Sequence, residues 1–194
     1  MNSKSMSPQE SLELIGQIIE EARCRISENG FLFFLWGAIL AFCGIAQFAL
    51  LHSPWKAYNY YPYLLTIPGF LYSWYYSVKK APSRNWKANI VGKTISWTWI
   101  VLGSNMMLLG FFYYSVLKNT LIPYLLLLTA IGVIVTGLLL AKRELFYLGL
   151  AVNGIALLSF FAPLTYQPLL MAVSYIFALL IPGWKSMQYA KHSS

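Results

Sequence analysis

The sequence predicts an all-α polytopic membrane protein, a six-transmembrane-helix bundle preceded by a cytoplasmic amphipathic helix. Of its 194 residues, 58% are hydrophobic and only 10% are charged, whereas soluble domains average about 25% charged residues. The hydrophobic residues lie in long blocks without Lys, Arg, Asp or Glu, comparable to the roughly 20 residues that a helix needs to cross a bilayer. The basic residues are concentrated at alternate ends of these blocks, as the positive-inside rule requires.

Residues 1–30 form the first predicted element, a cytoplasmic helix. Ser7-Pro8-Gln9-Glu10 has the pattern of a capping box with proline at the first helical position, and Asn29-Gly30 has that of a C-terminal stop. The stretch has no apolar region near its start, which argues against a cleaved signal peptide. A narrow apolar seam at helical spacing lies between the two ends: Leu12, Ile15, Ile19, Ala22 and Ile26.

Six uncharged blocks predict the transmembrane bundle, at 31–184. The spans cover 31–51, 60–78, 95–116, 121–141, 145–162 and 167–184, and the last two are short. Linkers of about three residues, at 118–120 and 142–144, predict antiparallel neighbours in contact. A proline followed by a leucine pair recurs at Pro62, Pro123 and Pro168. This recurrence indicates either three repeated helical hairpins or only the common use of proline at helix starts.

The distribution of Lys and Arg predicts the threading. With six spans, twelve of the 14 basic residues fall on one side and two, Lys56 and Lys118, on the other. Both termini, including the tail 185–194, are therefore predicted to be cytoplasmic. Because threading accounts for the net charge of +8, no nucleic-acid partner is needed. Trp97 and several other tryptophans lie near the inner edge of the bilayer, as in an aromatic belt.

Five of the six carboxylates precede residue 31, so the N-terminal helix is acidic and a poor match for an anionic leaflet. Its predicted partner is the basic loop that follows span 2 or a neighbouring subunit. The alternative is a solvated acidic face with an apolar underside. The predicted docking residues are Glu20, Glu21, Lys79, Lys80, Arg84 and Lys87. The partners predicted are thus the lipid bilayer and either a second copy or another membrane protein.

Polar residues inside the spans predict either hydrogen bonds between helices or a site for a small solute near the bilayer midplane. Asn105 and Asn153 are the centre of that candidate site, in the company of Ser104, Thr136, Thr129 and Gln47.

Proline and glycine positions make two further predictions. Pro68-Gly69 is a candidate helix break inside span 2, and Pro182-Gly183 is predicted to terminate span 6. The pairs Gly37/Gly44 and Gly103/Gly110, each seven residues apart, predict faces on which helices approach closely.

No catalytic residue and no cofactor is predicted. The spans hold no ionisable acid or base, no metal-ligand cluster is present, and His52 and His192 are too far apart in the threading to ligate a haem. We therefore expect a protein that is not an enzyme. Cys24 and Cys43 are expected to be free thiols.

Three short motifs carry a resemblance. Glu28-Asn29-Gly30-Phe31, Leu35-Trp36-Gly37 and Ile181-Pro182-Gly183 resemble a group of small uncharacterised bacterial membrane proteins with an N-terminal cytoplasmic helix followed by several spans. The resemblance implies a bacterial inner-membrane location and no particular activity. Two functions fit this reading: an interaction, regulatory or structural membrane protein, or a small-solute transporter or channel.

Overall fold

The computed structural model describes residues 8–80, 90–112 and 114–192, and within them the side chains at 8–29, 77, 80, 90, 114, 118 and 189–192 lie outside the description. Over these ranges the chain is helical and contains no strand. The helices are α1 (Pro8–Leu51), α2 (Thr66–Lys80), α3 (Ile90–Phe111), α4 (Tyr114–Leu117), α5 (Leu121–Leu139), α6 (Arg143–Ser159), α7 (Gln167–Tyr175) and α8 (Ile181–His192). Short 3-10 turns cover Lys56–Tyr58, Tyr61–Leu65 and Lys118–Thr120, and a π segment, Ile176–Leu180, joins α7 to α8.

Helix α1 is continuous over 44 residues, so the predicted stop at Asn29-Gly30 is wrong. A glycine cap needs a left-handed backbone, and none of the described glycines has a positive φ. Gly30 instead permits close contact with α8, since a Cβ there would lie 2.7 Å from Ser186 Cβ and 3.0 Å from the Gly183 carbonyl oxygen. The glycine thus serves packing between helices, and the helix runs through it.

Four segments of the described chain are long and apolar enough to cross a membrane: Gly30–Leu51, Val91–Phe111, Leu121–Leu139 and Gln167–Gln188. They correspond to the first, third, fourth and sixth predicted spans. The second and fifth predicted spans correspond to α2, with 15 residues, and α6, with 17. The structure therefore shows a helical bundle with several apolar helices of membrane-spanning length.

The predicted end of span 6 at Pro182-Gly183 is also wrong, because α8 continues to His192. Proline lacks the N–H that would bond four residues back, and its ring clashes with that carbonyl in an α-helix. The π segment directly before Ile181 widens the helix at this point. The helix thereby accommodates Pro182 without ending.

The two most extensive helix pairings are antiparallel, and glycines set their closest contacts. A Cβ at Gly37 would lie 2.4 Å from Leu180 N, and one at Gly44 would lie 2.6 Å from the Pro168 carbonyl oxygen. Helix α1 thus pairs with α7–α8 along its apolar half, and the predicted close approach at Gly37 and Gly44 is confirmed. The predicted close approach at Gly103 and Gly110 is wrong, since nothing lies within 4 Å of a Cβ at either position.

The second extensive pairing is between α5 and α6. A Cβ at Gly137 would lie 2.5 Å from Phe146 N, and at the opposite ends Tyr124 and Phe160 rings meet at 5.4 Å. The turn between the helices is a Schellman motif, in which Lys142 N–H bonds Gly137 O and Ala141 N–H bonds Leu138 O. Ala141 occupies the left-handed position of this motif with φ 52°.

Helices α2 and α3 lie at the periphery of the bundle. Trp36 Nε1 on α1 donates to Ser73 Oγ on α2 at 3.0 Å, and Trp99 Nε1 on α3 donates to Thr136 Oγ1 on α5 at 3.0 Å. Only 6% of the α3 span is buried, against 56% of the α5 span. The main apolar core is formed by α1, α5, α6 and the α7–π segment: Ala41, Ile122, Leu126, Ala130, Val133, Val152, Ala156, Met171, Tyr175, Ala178 and Leu179.

The antiparallel pairings give the bundle two ends. We call one the Lys56 end; it carries the connections 52–60, 118–120 and 160–166. The other, the Lys142 end, carries the α5–α6 turn, the start of α3, the end of α2 and the Gly30–Ser186 contact. The predicted hairpin repeat stays a prediction. The most extensive pairings, α1 with α7–α8 and α5 with α6, cross the boundaries of those hairpins.

Candidate polar sites in the bundle

The four residues predicted to form a midplane site occupy different environments. Ser104 and Asn105 are exposed on α3, and Asn105 Nδ2 donates to its own helix at Val101 O, 2.8 Å away. Asn153 is half-buried on α6. Thr136 is 1% exposed and is already bonded, since it accepts from Trp99 and donates to Gly132 O at 2.7 Å. Thr136 thus joins α3 to α5, whereas Asn105 is bonded only within α3.

Thr129 and Gln47, which were predicted to lie near that site, are hydrogen-bonded to residues outside it. Thr129 Oγ1 donates to Leu125 O at 2.9 Å and lies 3.1 Å from Tyr175 OH. Both residues are 1% exposed, and the two hydroxyls join α5 to α7 inside the apolar core. A hydroxyl pair in this position removes the cost of leaving a donor unbonded in the bundle interior.

The densest polar group in the described chain lies near the Lys56 end, and we call Gln47, Asn59 and Tyr63 the Gln47 cluster. Gln47 Oε1 accepts from Tyr63 OH at 2.7 Å, and Gln47 Nε2 donates to Asn59 Oδ1 at 3.3 Å. Asn59 Nδ2 in turn donates to Lys56 O at 2.6 Å. Because these amides are satisfied, the cluster fixes the 3-10 segments against α1. The sequence pattern singles out Gln47 but not its partners, because these lie in a connecting segment.

Cys43 contributes a second contact between α1 and the same connection. Its Sγ lies 3.1 Å from Pro62 O, and the side chain is fully buried and free. The Tyr63 hydroxyl also lies 3.8 Å from Met171 Sδ on α7. The segment before α2 is thereby anchored to both α1 and α7.

Gln167 begins α7 and closes the end of α6. Its Nε2 donates to Ser159 O at 3.2 Å and to Ala162 O at 3.3 Å, carbonyls at and just after the end of α6. Ser159 O also accepts from the Ala162 N–H at 3.3 Å. Gln167 Oε1 is buried and has no hydrogen-bond partner in the described part of the chain. The side chain therefore acts chiefly as a cap between consecutive helices, a role that the sequence pattern did not indicate.

The structure has no helix break at Pro68-Gly69, because α2 runs through both residues. Pro68 lies in the first turn of α2, directly after the 3-10 segment Tyr61–Leu65, at a position where proline is well tolerated. Gly69 allows contact with α1, since a Cβ there would lie 2.7 Å from Ile39 Cδ1. The irregular geometry occurs instead at the 3-10 segment before α2 and at the π segment before Pro182.

Most of the predicted docking residues have side chains outside the described set. Glu20 and Glu21 lie on α1 and Lys80 ends α2, and only their backbone is described; Arg84 and Lys87 fall in 81–89, outside the described ranges. Lys79 is exposed, and its Nζ lies 4.7 Å from the centre of the Tyr75 ring. The predicted docking is therefore neither seen nor contradicted.

Among the residues with described side chains, no group of three or more His, Cys, Asp or Glu is placed to hold a metal ion. No protein-family model matches the sequence, and neither a curated protein nor a solved structure shows significant similarity to it. Over residues 8–80, 90–112 and 114–192 the structure defines the class as a helical bundle with four segments long and apolar enough to cross a membrane.

Proposed function

We propose that the chain is an integral protein of the bacterial inner membrane, with six spans and both termini in the cytoplasm. We propose further that it has no enzymatic activity and works by binding another membrane protein or a second copy of itself. The observation that carries this proposal is the continuity of α1. Its 44 residues correspond to about 66 Å of helix, which is twice the roughly 30 Å hydrocarbon core.

The lengths of the shorter helices support six spans. Helix α2 follows the 3-10 segment Tyr61–Leu65 without interruption, and together they measure about 32 Å at ordinary rises. Helix α6 measures about 26 Å and pairs along its length with α5. A helix of this length that packs on a spanning neighbour can reach both interfaces, because flanking polar residues and local thinning of the bilayer accommodate a short span.

The charges at the two ends support the orientation. Five described basic residues lie at the Lys142 end: Lys79, Lys93, Lys142, Arg143 and Lys185. The Lys56 end has Lys56 and Lys118. Since cytoplasmic loops carry the excess of Lys and Arg, the Lys142 end is the cytoplasmic one.

The proposed binding element is the half of α1 that precedes Gly30, which we call the arm. The arm carries five Glu against Arg23 and Arg25 and is continuous with the first span. A continuous helix transmits a change in the arm to the bundle more directly than a flexible linker would. Phe31 on α1 lies 5.2 Å from the ring centre of Tyr76 on α2, so the basic end of α2 runs towards the arm. The preferred partner is therefore basic, either the connection after α2 or the same surface of a neighbouring copy.

Interaction is favoured over solute transport because the candidate polar residues lie on different helices and in different environments. Asn105 is exposed and bonded within α3, while Thr136 is buried and bonded to Trp99. The apolar seam of the arm supplies most of the binding energy, since exposed ion pairs contribute about 0–1 kcal/mol each.

Charge reversal tests the arm. Glu20→Lys together with Glu21→Lys should increase hydrogen exchange and protease cleavage in the arm, and reversing Lys79 and Lys80 as well should restore part of the protection. Glu144→Lys, which reverses a carboxylate outside the arm, is the matched control and should leave exchange unchanged. An arm that is unprotected in the wild-type protein, or that binds anionic bilayers more firmly after reversal with no loss of order, would contradict the proposal.

Cysteine labelling in intact cells tests the orientation. In a background without Cys24 and Cys43, Lys56→Cys should react with a membrane-impermeant reagent from outside. Lys142→Cys should react only after the membrane is opened. If Lys56→Cys reacts only after opening, the proposed threading is wrong.

A further inference from the structure

The exposed face of α3 carries a groove of about 540 Å³ that starts near the Lys142 end. Its lining residues recur every four positions, so they form one stripe along the helix. They are Lys93, Thr94, Trp97, Thr98, Val101 and Leu102. The stripe runs from Lys93 to Leu102, or about 14 Å along the helix axis. Its composition changes along this length from a cation, through hydroxyls and an indole, to aliphatic side chains.

The end of the groove at Lys93 is electrically positive. Lys93 is exposed, and no carboxylate among the described side chains forms an ion pair with it. Ile95 of α3 packs with Leu140 and Leu145 on either side of the α5–α6 turn, so the cations of that turn, Lys142 and Arg143, lie at the same end of the bundle. The positive pole of the α3 dipole adds to this field.

The other end of the groove is apolar and uncovered. Trp97 is 56% exposed and Val101 is 53% exposed. Leu102 is half-buried at the contact with α5, where its Cδ1 would meet a Cβ on Gly132 at 2.9 Å. These side chains lie below Lys93 along α3, towards the bilayer interior in the proposed orientation. A hydrocarbon chain is the occupant whose chemistry matches this part of the groove.

We propose that the groove binds one anionic phospholipid, with its phosphate at Lys93 and one acyl chain along Trp97, Val101 and Leu102. The inference rests on the proposed membrane insertion of α3. An anionic lipid fits better than a second copy in this groove, because a second copy inserted in the same orientation would bring its own basic Lys142 end against Lys93. A net negative headgroup is preferred to a zwitterionic one, which would oppose Lys93 with a second cation.

Native mass spectrometry on protein purified from nanodiscs of mixed phosphatidylglycerol and phosphatidylcholine tests the proposal. The wild-type protein should retain one phosphatidylglycerol in preference to phosphatidylcholine. Lys93→Ala should reduce this retention about fivefold, the factor expected for one lysine near an anionic headgroup. Val101→Trp, which fills the groove without changing charge, should reduce it comparably. Lys185→Ala removes an exposed cation at the same end of the bundle and should behave as wild type.

Two further measurements distinguish a bound lipid from a free anion, and a missing lipid site from a missing membrane insertion. Inorganic phosphate at millimolar concentration should not displace the lipid, because it lacks the acyl chain; full displacement would mean that the site is one for a free anion. Equal retention by wild type, Lys93→Ala and Val101→Trp would overturn the lipid site. Carbonate extraction of membranes is measured in parallel. Release of the wild-type protein would refute the proposed membrane insertion. A protein that resists extraction but shows no lipid preference would refute only the proposed lipid site in the groove.

Discussion

Replacing Gly37 by alanine tests the contact on which the pairing of α1 with the π segment depends. The new Cβ would lie 2.4 Å from Leu180 N and 2.7 Å from Leu180 Cα. Ordinary contacts between such atoms lie at about 3.5–4.0 Å, so the two backbones must separate by about 1 Å. Neither backbone atom can be moved by a change of rotamer, and the adjacent contacts at Gly30 and Gly44 would be loosened as well.

The expected destabilisation follows from this separation. Overpacking a well-packed interior costs about 1–3 kcal/mol. For a chain of this length, 1 kcal/mol shifts the melting temperature by about 2–4 °C. The melting temperature of Gly37→Ala should therefore fall by about 2–12 °C, measured by the intrinsic fluorescence of the seven tryptophans in a fixed detergent.

Gly103→Ala is the matched control, because nothing lies within 4 Å of a Cβ at that position. Alanine is the better helix former by up to about 1 kcal/mol, so this variant should melt at the wild-type temperature or slightly above it. If Gly37→Ala melts as high as Gly103→Ala, α1 and the π segment are not in backbone contact and the antiparallel register described above is refuted.

Three further predictions concern single contacts. Thr129→Val should cost about 1–2 kcal/mol in unfolding free energy, because it leaves the buried Tyr175 hydroxyl without its partner. Thr129→Val combined with Tyr175→Phe should cost less than the sum of the two single changes. Additive losses would show that the hydroxyls do not interact. Ala141→Gly should leave stability unchanged or raise it by up to about 1 kcal/mol, since glycine adopts a left-handed backbone without the penalty that alanine has, and a lowered melting temperature would contradict the turn geometry. Cys43 should resist a membrane-permeant maleimide in folded protein that lacks Cys24 and react only on unfolding, followed by intact-protein mass; equal labelling rates in both states would contradict its burial.

The class of fold and the approximate positions of the apolar helices follow from the sequence alone. A run such as 121–141 without a charge is a local property, and the corresponding helix, Leu121–Leu139, differs from the prediction by two residues at one end. The spacing of Gly37 and Gly44 likewise predicted a close helix contact, which the structure contains. The same spacing at Gly103 and Gly110 corresponds to no contact, because spacing alone does not say which face of a helix is covered.

Which helices meet depends on the tertiary structure. The features that the sequence predicted wrongly depend on these contacts between helices. Asn29-Gly30 has the local pattern of a stop, yet the helix continues because Gly30 packs against α8 and never takes the left-handed backbone of a cap. Pro182 has the local pattern of a terminator, yet the π segment before it accommodates the missing hydrogen bond. The partners of Gln47, Thr129 and Thr136 lie 12 to 46 positions away or on other helices. Hydrogen bonds of this kind depend on the relative placement of helices, which short-range patterns in one segment do not encode.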